Sequence, residues 1–434
     1  MTHSGAVIPT QIYHSGVTIE EECGSDDIAS SYPGQLMLRL FPIGQFTKVS
    51  PEYYFSHKKL YTEYAAVFRV YLDEFRYIGD AGNPYIPISK LKNKKNVIND
   101  NGRALSGSGM IAITDIDWKI IAKDYTWKKA YFSDMWISKY GPLPDEFKET
   151  LMEYFKTKTL LKGDENKVYE LMKAKNKLNS AYGMCVTNPC KPDILYDEES
   201  GEFKDAERPK DQTELEFHQD LLDKFYKSKN SFLPYQWGVW CTAWARMQLR
   251  EMIWKVGIYN VYEDTDSIKY IDPEHIKPLF DQQNEKIMKE AEAAGAFALD
   301  KNGNKKYMGV WDYECDKHGT YKRFCTLGAK KYLYEDDQGI HATIAGVNKK
   351  YAAKFFTEHG FEAFKNGTCL PDSGHLVAYY NDDLTIKEIE IEGCKILNGS
   401  NTALINGSYT IGVTGEWLDL FEKALRNEDL VFTE

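Results

Sequence analysis

The sequence has little that would indicate a disulfide framework, a zinc site or a membrane segment. Its eight cysteines are scattered along 434 residues and form no Cys-x-x-Cys pair, which argues against the common zinc motifs and a disulfide scaffold. No apolar run is long enough to cross a bilayer, and residues 1–13 lack the basic and apolar regions of a signal peptide. We therefore expect a soluble, intracellular protein without a membrane partner.

An excess of positive charge is also lacking. The chain has 54 basic and 65 acidic residues, a net charge of −11, whereas binding to nucleic acid depends on clustered Lys and Arg. The charge is segregated, however, into a lysine-rich run from Lys156 to Lys177 and an acidic stretch from Asp197 to Glu216. This segregation fits a basic groove in an acidic protein, and it fits equally well a set of solvated helix faces.

Two carboxylates one residue apart, Asp264 and Asp266, lie between the β-prone runs 258–262 and 267–271. This pattern predicts a hairpin with an acidic tip. Because residues i and i+2 of a strand leave from the same face, we expect both side chains in one small volume. Such anions repel each other unless a hard divalent cation lies between them, and oxygen-only ligation favours Mg²⁺ or Mn²⁺ over zinc. A solvated turn is the alternative interpretation, since Asp and Thr are common in turns.

Two other segments have patterned polar residues. Around Asp27 the sequence predicts a strand that ends near Pro33, where a helix begins. Residues 171–183 predict a second helix, with Lys175, Asn179 and Tyr182 at i, i+4 and i+7 on one face. The same helix has an apolar stripe that we expect to be buried: Leu171, Ala174, Leu178 and Ala181.

Together these segments resemble the motifs of family B DNA polymerases. The hairpin resembles the carboxylate motif Tyr-x-Asp-Thr-Asp-Ser, the first segment Asp-x-x-Ser-x-Tyr-Pro, and the helix the fingers motif Lys-x-x-x-Asn-Ser-x-Tyr-Gly. A shorter match, Lys330 to Tyr332, resembles the Lys-x-Tyr motif of the protein-primed subgroup of phages and linear plasmids; a strand with an exposed lysine and a packed tyrosine is its alternative. The matching residues are Asp27, Ser30, Tyr32, Pro33, Lys175, Asn179, Ser180, Tyr182, Gly183, Tyr262, Asp264, Thr265, Asp266, Ser267, Lys330 and Tyr332.

The resemblance implies an α+β fold with right-hand architecture: a palm with an antiparallel sheet, helical fingers, a thumb and two insertions. The implied regions are a palm start with the first carboxylate (1–43), an insertion resembling the first terminal-protein region (44–140), fingers (141–188), an insertion resembling the second terminal-protein region (189–235), palm (236–341), and thumb with the C-terminal region (342–434).

The resemblance also implies roles for individual residues. Asp27, Asp264 and Asp266 would be the catalytic carboxylates and would hold two Mg²⁺ (or Mn²⁺) ions. Tyr32 would lie under the incoming sugar and exclude a ribose 2′-hydroxyl. The nucleotide-binding residues would be Ser31, Tyr32, Lys162, Lys175, Asn179 and Tyr182. The primer or DNA contacts would be Ser30, Gly183, Tyr262, Thr265, Lys330 and Tyr332. The spacing from Lys162 to Lys175 differs by one residue from that of the subgroup.

The implied activity is template-directed DNA polymerisation, with template, primer and dNTPs as partners, and a terminal (priming) protein as a further partner. Members of the family normally carry an exonuclease with an early Asp-x-Glu motif, but 26 residues precede Asp27. We therefore expect no proofreading by this chain; the exonuclease would be a separate subunit, trimmed away or never present. If the chain is phage-encoded, it would act in the host cytoplasm.

Two rival functions stay open: a catalytically silent, polymerase-like module that binds nucleic acid or a priming protein, and an RNA-making enzyme, against which Tyr32 argues. A second Asp-x-Asp, Asp115 and Asp117, is interpreted as a turn or helix cap, residues 90–108 as a mobile loop, and 190–233 as a protruding hairpin or flexible insertion. Residues 237–256 should be a helix, 281–294 a surface helix, and 308–314 and 323–334 adjacent strands.

Overall fold

The computed structural model describes residues 16–80, 82–100, 102–197, 202–228, 233–380, 388–391, 394–397 and 402–412. Expectations for residues 1–13, and for the part of the thumb region after residue 412, lie outside these ranges. The α-helices of the described residues are α1 (Ser31–Leu38), α2 (Pro51–Ser56), α3 (Lys58–Glu63), α4 (Asp115–Asp124), α5 (Asp145–Leu161), α6 (Val168–Cys185), α7 (Glu214–Lys227), α8 (Tyr235–Val256), α9 (Pro273–Ala293) and α10 (Lys349–His359).

The β-strands alternate with these helices through the described residues, so helix and sheet are mixed. The strands up to residue 141 are β1 (Thr18–Ile19), β2 (Cys23–Ile28), β3 (Phe41–Pro42), β4 (Thr47–Val49), β5 (Tyr64–Tyr77), β6 (Lys92–Asp100), β7 (Arg103–Thr114), β8 (Tyr125–Thr126) and β9 (Lys129–Gly141). The later strands are β10 (Ile194–Asp197), β11 (Glu202–Asp205), β12 (Asn260–Asp264), β13 (Ser267–Ile271), β14 (Phe297–Leu299), β15 (Lys305–Tyr307), β16 (Trp311–Tyr313), β17 (Arg323–Gly328), β18 (Lys331–Asp336), β19 (Gly339–Ile344), β20 (Cys369–Tyr380), β21 (Glu388–Ile391), β22 (Cys394–Leu397) and β23 (Thr402–Thr410).

A four-stranded antiparallel sheet in the order β12-β13-β2-β16 carries the acidic hairpin. Helices α8 and α9 cover one face of it, and Leu249, Ile268 and Phe280 belong to the apolar cluster between them. Helix α8 is buried along almost its whole length and ends at Gly257, whose φ of 56° no longer fits a right-handed helix. The helix predicted for 237–256 is confirmed, whereas the surface helix predicted for 281–294 begins earlier, at Pro273.

A second four-stranded sheet, β1-β17-β18-β19, lies beside the first. Tyr262, Tyr321 and Phe324 fill the apolar cluster that joins the two sheets. The expectation that 308–314 and 323–334 form adjacent strands is wrong, because β16 pairs with β2 whereas β17 pairs with β18 and β1. A tight turn, with Lys330 at a φ of 55°, divides 323–334 into two strands that pair with each other.

The largest sheet, ordered β3-β9-β5-β7-β6 with β4 and β8 at its margin, occupies residues 41–141. The mobile loop expected for 90–108 is wrong: β6 and β7 form a bulged hairpin there. Gly107, at a φ of 136°, permits the close approach of the two strands, since a Cβ would lie 2.8 Å from Cα of Val97. Long-range pairing of β7 with β5 holds a segment whose local composition resembles a loop.

Helices α5 and α6 pack against each other, and the buried stripe of α6 consists of Ala174, Leu178, Ala181 and Cys185. The predicted stripe is confirmed except at Leu171, which is half-buried. The hairpin expected within 190–233 is confirmed by β10 and β11, and every residue of the described helix α7 is exposed or half-buried. Helix α10 packs on β19 and β20. None of the described helices is long and apolar enough to cross a membrane.

Candidate active site

Asp27 lies on β2, which has partner strands on both sides. Its register partners are Ser267 on β13 and Asp312 on β16. The N–H of the next residue, Ile28, donates to the carbonyl of Asp266 at 2.8 Å. The sheet therefore places Asp27 beside the acidic hairpin, although the two are far apart in the sequence.

The hairpin turn brings Asp264 and Asp266 together in a way that differs from the sequence argument. Asp264 ends β12 and pairs with Ser267, so Thr265 and Asp266 form the turn itself. Thr265 adopts a φ of 56°, and the N–H of Asp266 donates to the carbonyl of Asp264 at 2.6 Å. Strand alternation is therefore the wrong reason for their proximity, because Asp266 does not lie in a strand. The Thr265 hydroxyl donates to Asp264 Oδ1 at 2.9 Å.

Burial and mutual repulsion shift the acidity of these carboxyls. Burial, followed by the charges of Asp266 and Glu314, raises the pKa of Asp27 to about 7. Burial, followed by the charge of Asp264, raises the pKa of Asp266 to about 6, against the opposing effect of Lys330. Burial and the nearby negative charges thus disfavour the ionised forms of both Asp27 and Asp266, and a cation between the carboxylates would relieve the repulsion.

The donor set fits a hard divalent cation. Oδ1 of Asp27 is buried and has no hydrogen-bond partner among the described residues, and all the nearby anionic ligands are carboxylates. The described part of the chain contains no cluster of three or more His, Cys, Asp or Glu side chains already close enough to hold a metal ion. Oδ2 of Asp264 instead lies 3.3 Å from Nζ of Lys330. The carboxylates are therefore close enough to affect one another's pKa, but in the described residues they do not surround a ready-made metal position.

The Lys330 turn is fixed against the hairpin by aromatic residues. The backbone N–H of Lys330 donates to the hydroxyl of Tyr262 at 2.9 Å. The rings of Tyr262 and Tyr332 lie 5.1 Å apart, centroid to centroid. The structure therefore brings Tyr262, Lys330 and Tyr332 to Asp264. Lys330 lies in the turn before β18, and not on a strand.

The start of α1 lies against the end of α6. Ser30 precedes the helix with a φ of 54°, Ser31 is buried with its hydroxyl unpartnered among the described residues, and Tyr32 follows. The rings of Tyr32 and Tyr182 are 4.3 Å apart, centroid to centroid. Burial, followed by the charge of Tyr182, raises the pKa of Tyr32 above its ordinary value. Both phenols therefore stay neutral at physiological pH.

The other nucleotide-binding candidates lie at different depths. Lys175, Asn179 and Gly183 are on the exposed face of α6, and only Tyr182 of that face packs on α1. Lys162 follows the last residue of α5 and lines a cleft that also contains Asp27. The structure thus places Lys162 near the carboxylates and Lys175 close enough to Lys158 to influence its charge.

Sequence reasoning missed four charged residues at the site: Lys158, Lys269, Asp312 and Glu314. Nζ of Lys158 donates to the hydroxyl of Ser30 at 2.8 Å, and its pKa is lowered by burial and then by Lys162 and Lys175. Lys158 stands four residues before Lys162, a spacing of one helical turn in the lysine-rich run, and this spacing is a usable signal. Lys269 and Asp312 reach the site through strand pairing, and Glu314 directly follows β16, so their approach to Asp27 depends on contacts between distant segments.

Two adjoining clefts meet at these residues. The first, which we call the lysine cleft, has a volume of about 290 Å³ between α5 and the β14–β15 hairpin. Its charged lining residues are Lys158, Lys162, Asp300, Lys301, Lys305, Lys306 and Asp312. The second, the acidic cleft, has about 530 Å³. Its acidic lining residues are Asp27, Asp312, Glu314, Asp316 and Asp336. Lys162, Lys306 and Asp312 line both clefts.

No protein-family model matches the chain, and no curated protein matches it. Solved structures do. Phi29 DNA polymerase in an orthorhombic crystal form is 19% identical with a TM-score of 0.56, and the match covers 93% of this chain and 60% of that one. Its ternary complex with primer-template DNA and incoming nucleotide substrates gives 18% identity and a TM-score of 0.58, with the same coverage.

These likenesses establish the fold. The form of Phi29 DNA polymerase complexed with single-stranded DNA is similar too, at 19% identity and a TM-score of 0.55. The chain spans 60% of the length of each of these structures. It therefore has a polymerase-like fold over nearly its whole length.

Proposed function

We propose that the chain is a template-directed DNA polymerase, of the protein-primed family B type, that adds a deoxynucleotide to the 3′-hydroxyl of a primer or to a protein hydroxyl. The observation that carries this proposal is the meeting of Asp27 with the Asp264 and Asp266 turn in a sheet of polymerase-like fold. Two partly buried carboxyls with raised pKa values at one site are typical of groups that bind a cation or transfer a proton.

In this proposal Asp27 and Asp266 hold two Mg²⁺ or Mn²⁺ ions and Asp264 helps to position them. When bound, the ions would lower the pKa of the primer hydroxyl and neutralise the triphosphate. Lys330 would exchange its contact with Asp264 for one with a substrate phosphate. Lys162 and Lys175 would offset the remaining phosphate charge.

The paired rings of Tyr32 and Tyr182 mark the nucleoside side of the proposed site. The solved neighbours include complexes with primer-template DNA and nucleotide substrates, which supports DNA and dNTPs as partners. We assign 1–43 and 236–341 to the palm, 141–188 to the fingers, and 342–434 to the thumb and C-terminal region. The region 44–140 would be an insertion that contacts a terminal protein and the template duplex, and 189–235 would be a second insertion. A proofreading exonuclease would be a separate subunit, trimmed away or never present.

A catalytically silent, polymerase-like binding module is the second candidate. Two observations favour it: the ion pair of Asp264 with Lys330, and the lack, within the described residues, of a three-ligand metal cluster. A module of this kind would bind primer-template DNA or a priming protein without extending a primer.

Primer extension with Mg²⁺ separates the two candidates. We expect the intact chain to extend a primer and Asp266→Asn to lose about 10³-fold or more in rate, since one charge of the carboxylate pair is removed. Asp281→Asn, an exposed carboxylate on α9, is the matched control and should keep the wild-type rate. Absence of extension by the wild type, together with intact DNA binding, would establish the silent module.

The same assay tests sugar selection. Tyr32→Val should admit ribonucleotides that the wild type rejects, because the phenol ring against Tyr182 would no longer block a 2′-hydroxyl. Equal use of dNTPs and NTPs by the wild type would instead favour the RNA-making enzyme.

A further inference from the structure

The β14–β15 hairpin has lysines aimed at the end of α5. Asp300 fixes the hairpin turn: its Oδ1 accepts the N–H groups of Asn302 and Asn304, each at 2.9 Å. A Cβ at Gly163, two residues after α5 ends, would lie 3.7 Å from Nζ of Lys301. Lys301 therefore spans from the hairpin to the end of the helix, where the helix dipole is negative. The turn thus holds an ammonium group at the mouth of the lysine cleft.

Positive charge in the lysine cleft exceeds the negative charge available to balance it. Lys305 already forms an ion pair, since its Nζ lies 2.7 Å from Oε1 of Glu292. The carboxylate of Asp300 is used within its own turn. Four ammonium groups, each without an ion pair in the part of the chain that the structure describes, are left around one small volume: Lys158, Lys162, Lys301 and Lys306.

Lys158 is repelled by the neighbouring lysines Lys162 and Lys175. Its pKa is lowered by burial and then by Lys162 and Lys175, while Asp312 and Asp27 oppose the shift. A bound anion would relieve this repulsion and satisfy several ammonium groups at once. The lining is therefore that of an anion site, built from two separate elements of the fold.

Size and surroundings select the kind of anion. A volume of about 290 Å³ is at the small end for ligand sites and is too confined for a run of nucleic-acid backbone. The acidic cleft, with Asp27 and Glu314, adjoins it through Lys162, Lys306 and Asp312. A cation site in the acidic cleft, next to a small pocket with several lysines, suits a small polyphosphate that moves from the carboxylates into the lysine cleft.

We propose that the lysine cleft binds inorganic pyrophosphate, the second product of the reaction, through Lys301 and Lys306 of the hairpin together with Lys158 and Lys162. This inference rests on the proposed function. In that reaction the primer 3′-oxygen bonds to the α-phosphorus, the bond from that phosphorus to the bridging oxygen breaks, and pyrophosphate departs with the bond electrons while the hydroxyl proton passes to solvent. The cleft would hold the departing group after it separates from the α-phosphate.

The test is calorimetric titration of the metal-free chain with inorganic pyrophosphate, and with orthophosphate for comparison. The variant is Lys301→Glu with Lys306→Glu, two exposed positions where charge reversal does not disturb the core. The matched control is Lys94→Glu with Lys95→Glu on β6, an equal charge change at exposed residues outside the cleft. Primer-template affinity of the wild type and the cleft variant is measured in parallel by fluorescence anisotropy.

We expect pyrophosphate affinity to fall about tenfold or more in the cleft variant, because two cationic contacts become anionic. The control should bind pyrophosphate with wild-type affinity. The primer-template affinity of the cleft variant should change less than about twofold. Equal pyrophosphate affinity in wild type and cleft variant overturns the proposal. The proposal is also overturned if the wild type binds orthophosphate as tightly as pyrophosphate, which would mean attraction of any counterion. A loss of primer-template affinity in the cleft variant would overturn it too, because it would assign the cleft to nucleic acid.

The titration needs no turnover, so it fails separately from the proposed function. A chain that binds pyrophosphate through these lysines but extends no primer would refute the polymerase and keep the polyphosphate site. A chain that extends primers while its pyrophosphate affinity is unaffected by the cleft variant would keep the polymerase and refute the site.

Discussion

At the scale of single residues, the contact between Lys330 and Asp264 decides how the carboxylates are presented. The ammonium lies 3.3 Å from Oδ2 of Asp264, and its charge lowers the pKa of Asp266 against burial and Asp264. Lys330 therefore supplies positive charge to the carboxylates, as does the buried Lys269. Lys330 sits in a left-handed turn held by the hydroxyl of Tyr262, so its approach depends on the backbone as well as on charge.

Lys330→Ala should have two opposite effects. Affinity for Mg²⁺ or Mn²⁺ should rise, because a competing cation is removed from Asp264, while the rate of primer extension should fall about 10²-fold because charge stabilisation is lost. Metal titration and single-turnover extension measure the two. Lys331→Ala is the control, since that side chain reaches the carbonyl of Gly412 at 2.5 Å. A variant that keeps both wild-type values would place Lys330 outside the reaction.

At the scale of elements, α1 is held close to the loop before β16. A Cβ on Gly34 would lie 3.0 Å from both Cα and N of Gly309, so the two backbones approach each other directly. Gly309 has a φ of 80°, which lets the chain turn beneath the helix. Glycine at position 34 therefore lets the two backbones pack against each other without a side chain between them.

Gly34→Ala should lower the free energy of unfolding by about 1 to 3 kcal/mol through overpacking, although alanine favours a helix by about 1 kcal/mol. Gly183→Ala is the matched substitution on α6, where nothing lies within 4 Å of the added Cβ, and it should be neutral or stabilising by up to about 1 kcal/mol. Urea unfolding of both variants gives the comparison. Similar values for the two would show that α1 can shift at no cost.

The large sheet is joined to α8 through buried acids at the start of α4. The predicted helix cap is confirmed, since Thr114 and Asp117 form a capping box, and Asp117 is also paired with Arg246 of α8 at 2.7 Å. Asp115 accepts hydrogen bonds from Tyr140 at 2.8 Å and from the indole of Trp240 at 3.2 Å. Burial nevertheless raises the pKa of Asp115 to about 6.

This shift predicts a pH dependence. The carboxyl of the unfolded chain titrates near its ordinary pKa of about 4, whereas the folded carboxyl keeps its proton up to a pH of about 6. The free energy of unfolding of the wild type therefore falls as the pH rises from about 4 to about 6. The free energy of unfolding of Asp115→Asn, relative to that of the wild type, should therefore rise by about 2 kcal/mol from pH 4.5 to pH 7.5, as measured by urea unfolding. Asp145→Asn, with its side chain 86% exposed, should show no such change. A pH-independent difference for Asp115→Asn would indicate an ordinary pKa.

At the scale of the whole molecule, opposite charges are sorted between neighbouring clefts. The net charge is −11, yet the lysine cleft and the acidic cleft meet at four shared residues, three of them charged. Overall charge is therefore a poor guide to which ligand this surface binds. An acidic exterior with a local basic groove lets the protein bind phosphate where the lysines converge and repel it elsewhere.

The chain alone should extend primers without proofreading. With Mg²⁺ and no dNTPs, a mismatched primer 3′ end should stay intact for as long as it does in buffer, because we assign the three carboxylates that meet at the site, Asp27, Asp264 and Asp266, to synthesis. Gel analysis of labelled primer measures this. Metal-dependent removal of the mismatched nucleotide by the wild type, abolished in a variant outside the polymerase carboxylates, would contradict it.

The sequence by itself determined the identity of the chemical groups and several local elements. Periodicity located the buried stripe of α6 and the length of α8, and β-prone runs around Asp264 and Asp266 located the hairpin. Such patterns report which face of an element is buried, and short-range sterics are enough to set them. They do not report which elements meet, and for that reason 323–334 and 90–108 were interpreted wrongly.

Only the tertiary structure decided how the site is assembled. Strand β2 pairs with β13 and places Asp27 beside a turn that is distant in the sequence. Lys158 of α5 reaches Ser30 at the start of α1, and the β14–β15 hairpin lines the lysine cleft. Each of these depends on long-range backbone pairing and on burial, which together raise the carboxyl pKa values. Charge repulsion and desolvation act through space, so the acidity of Asp27 follows from the fold and not from its neighbours in the sequence.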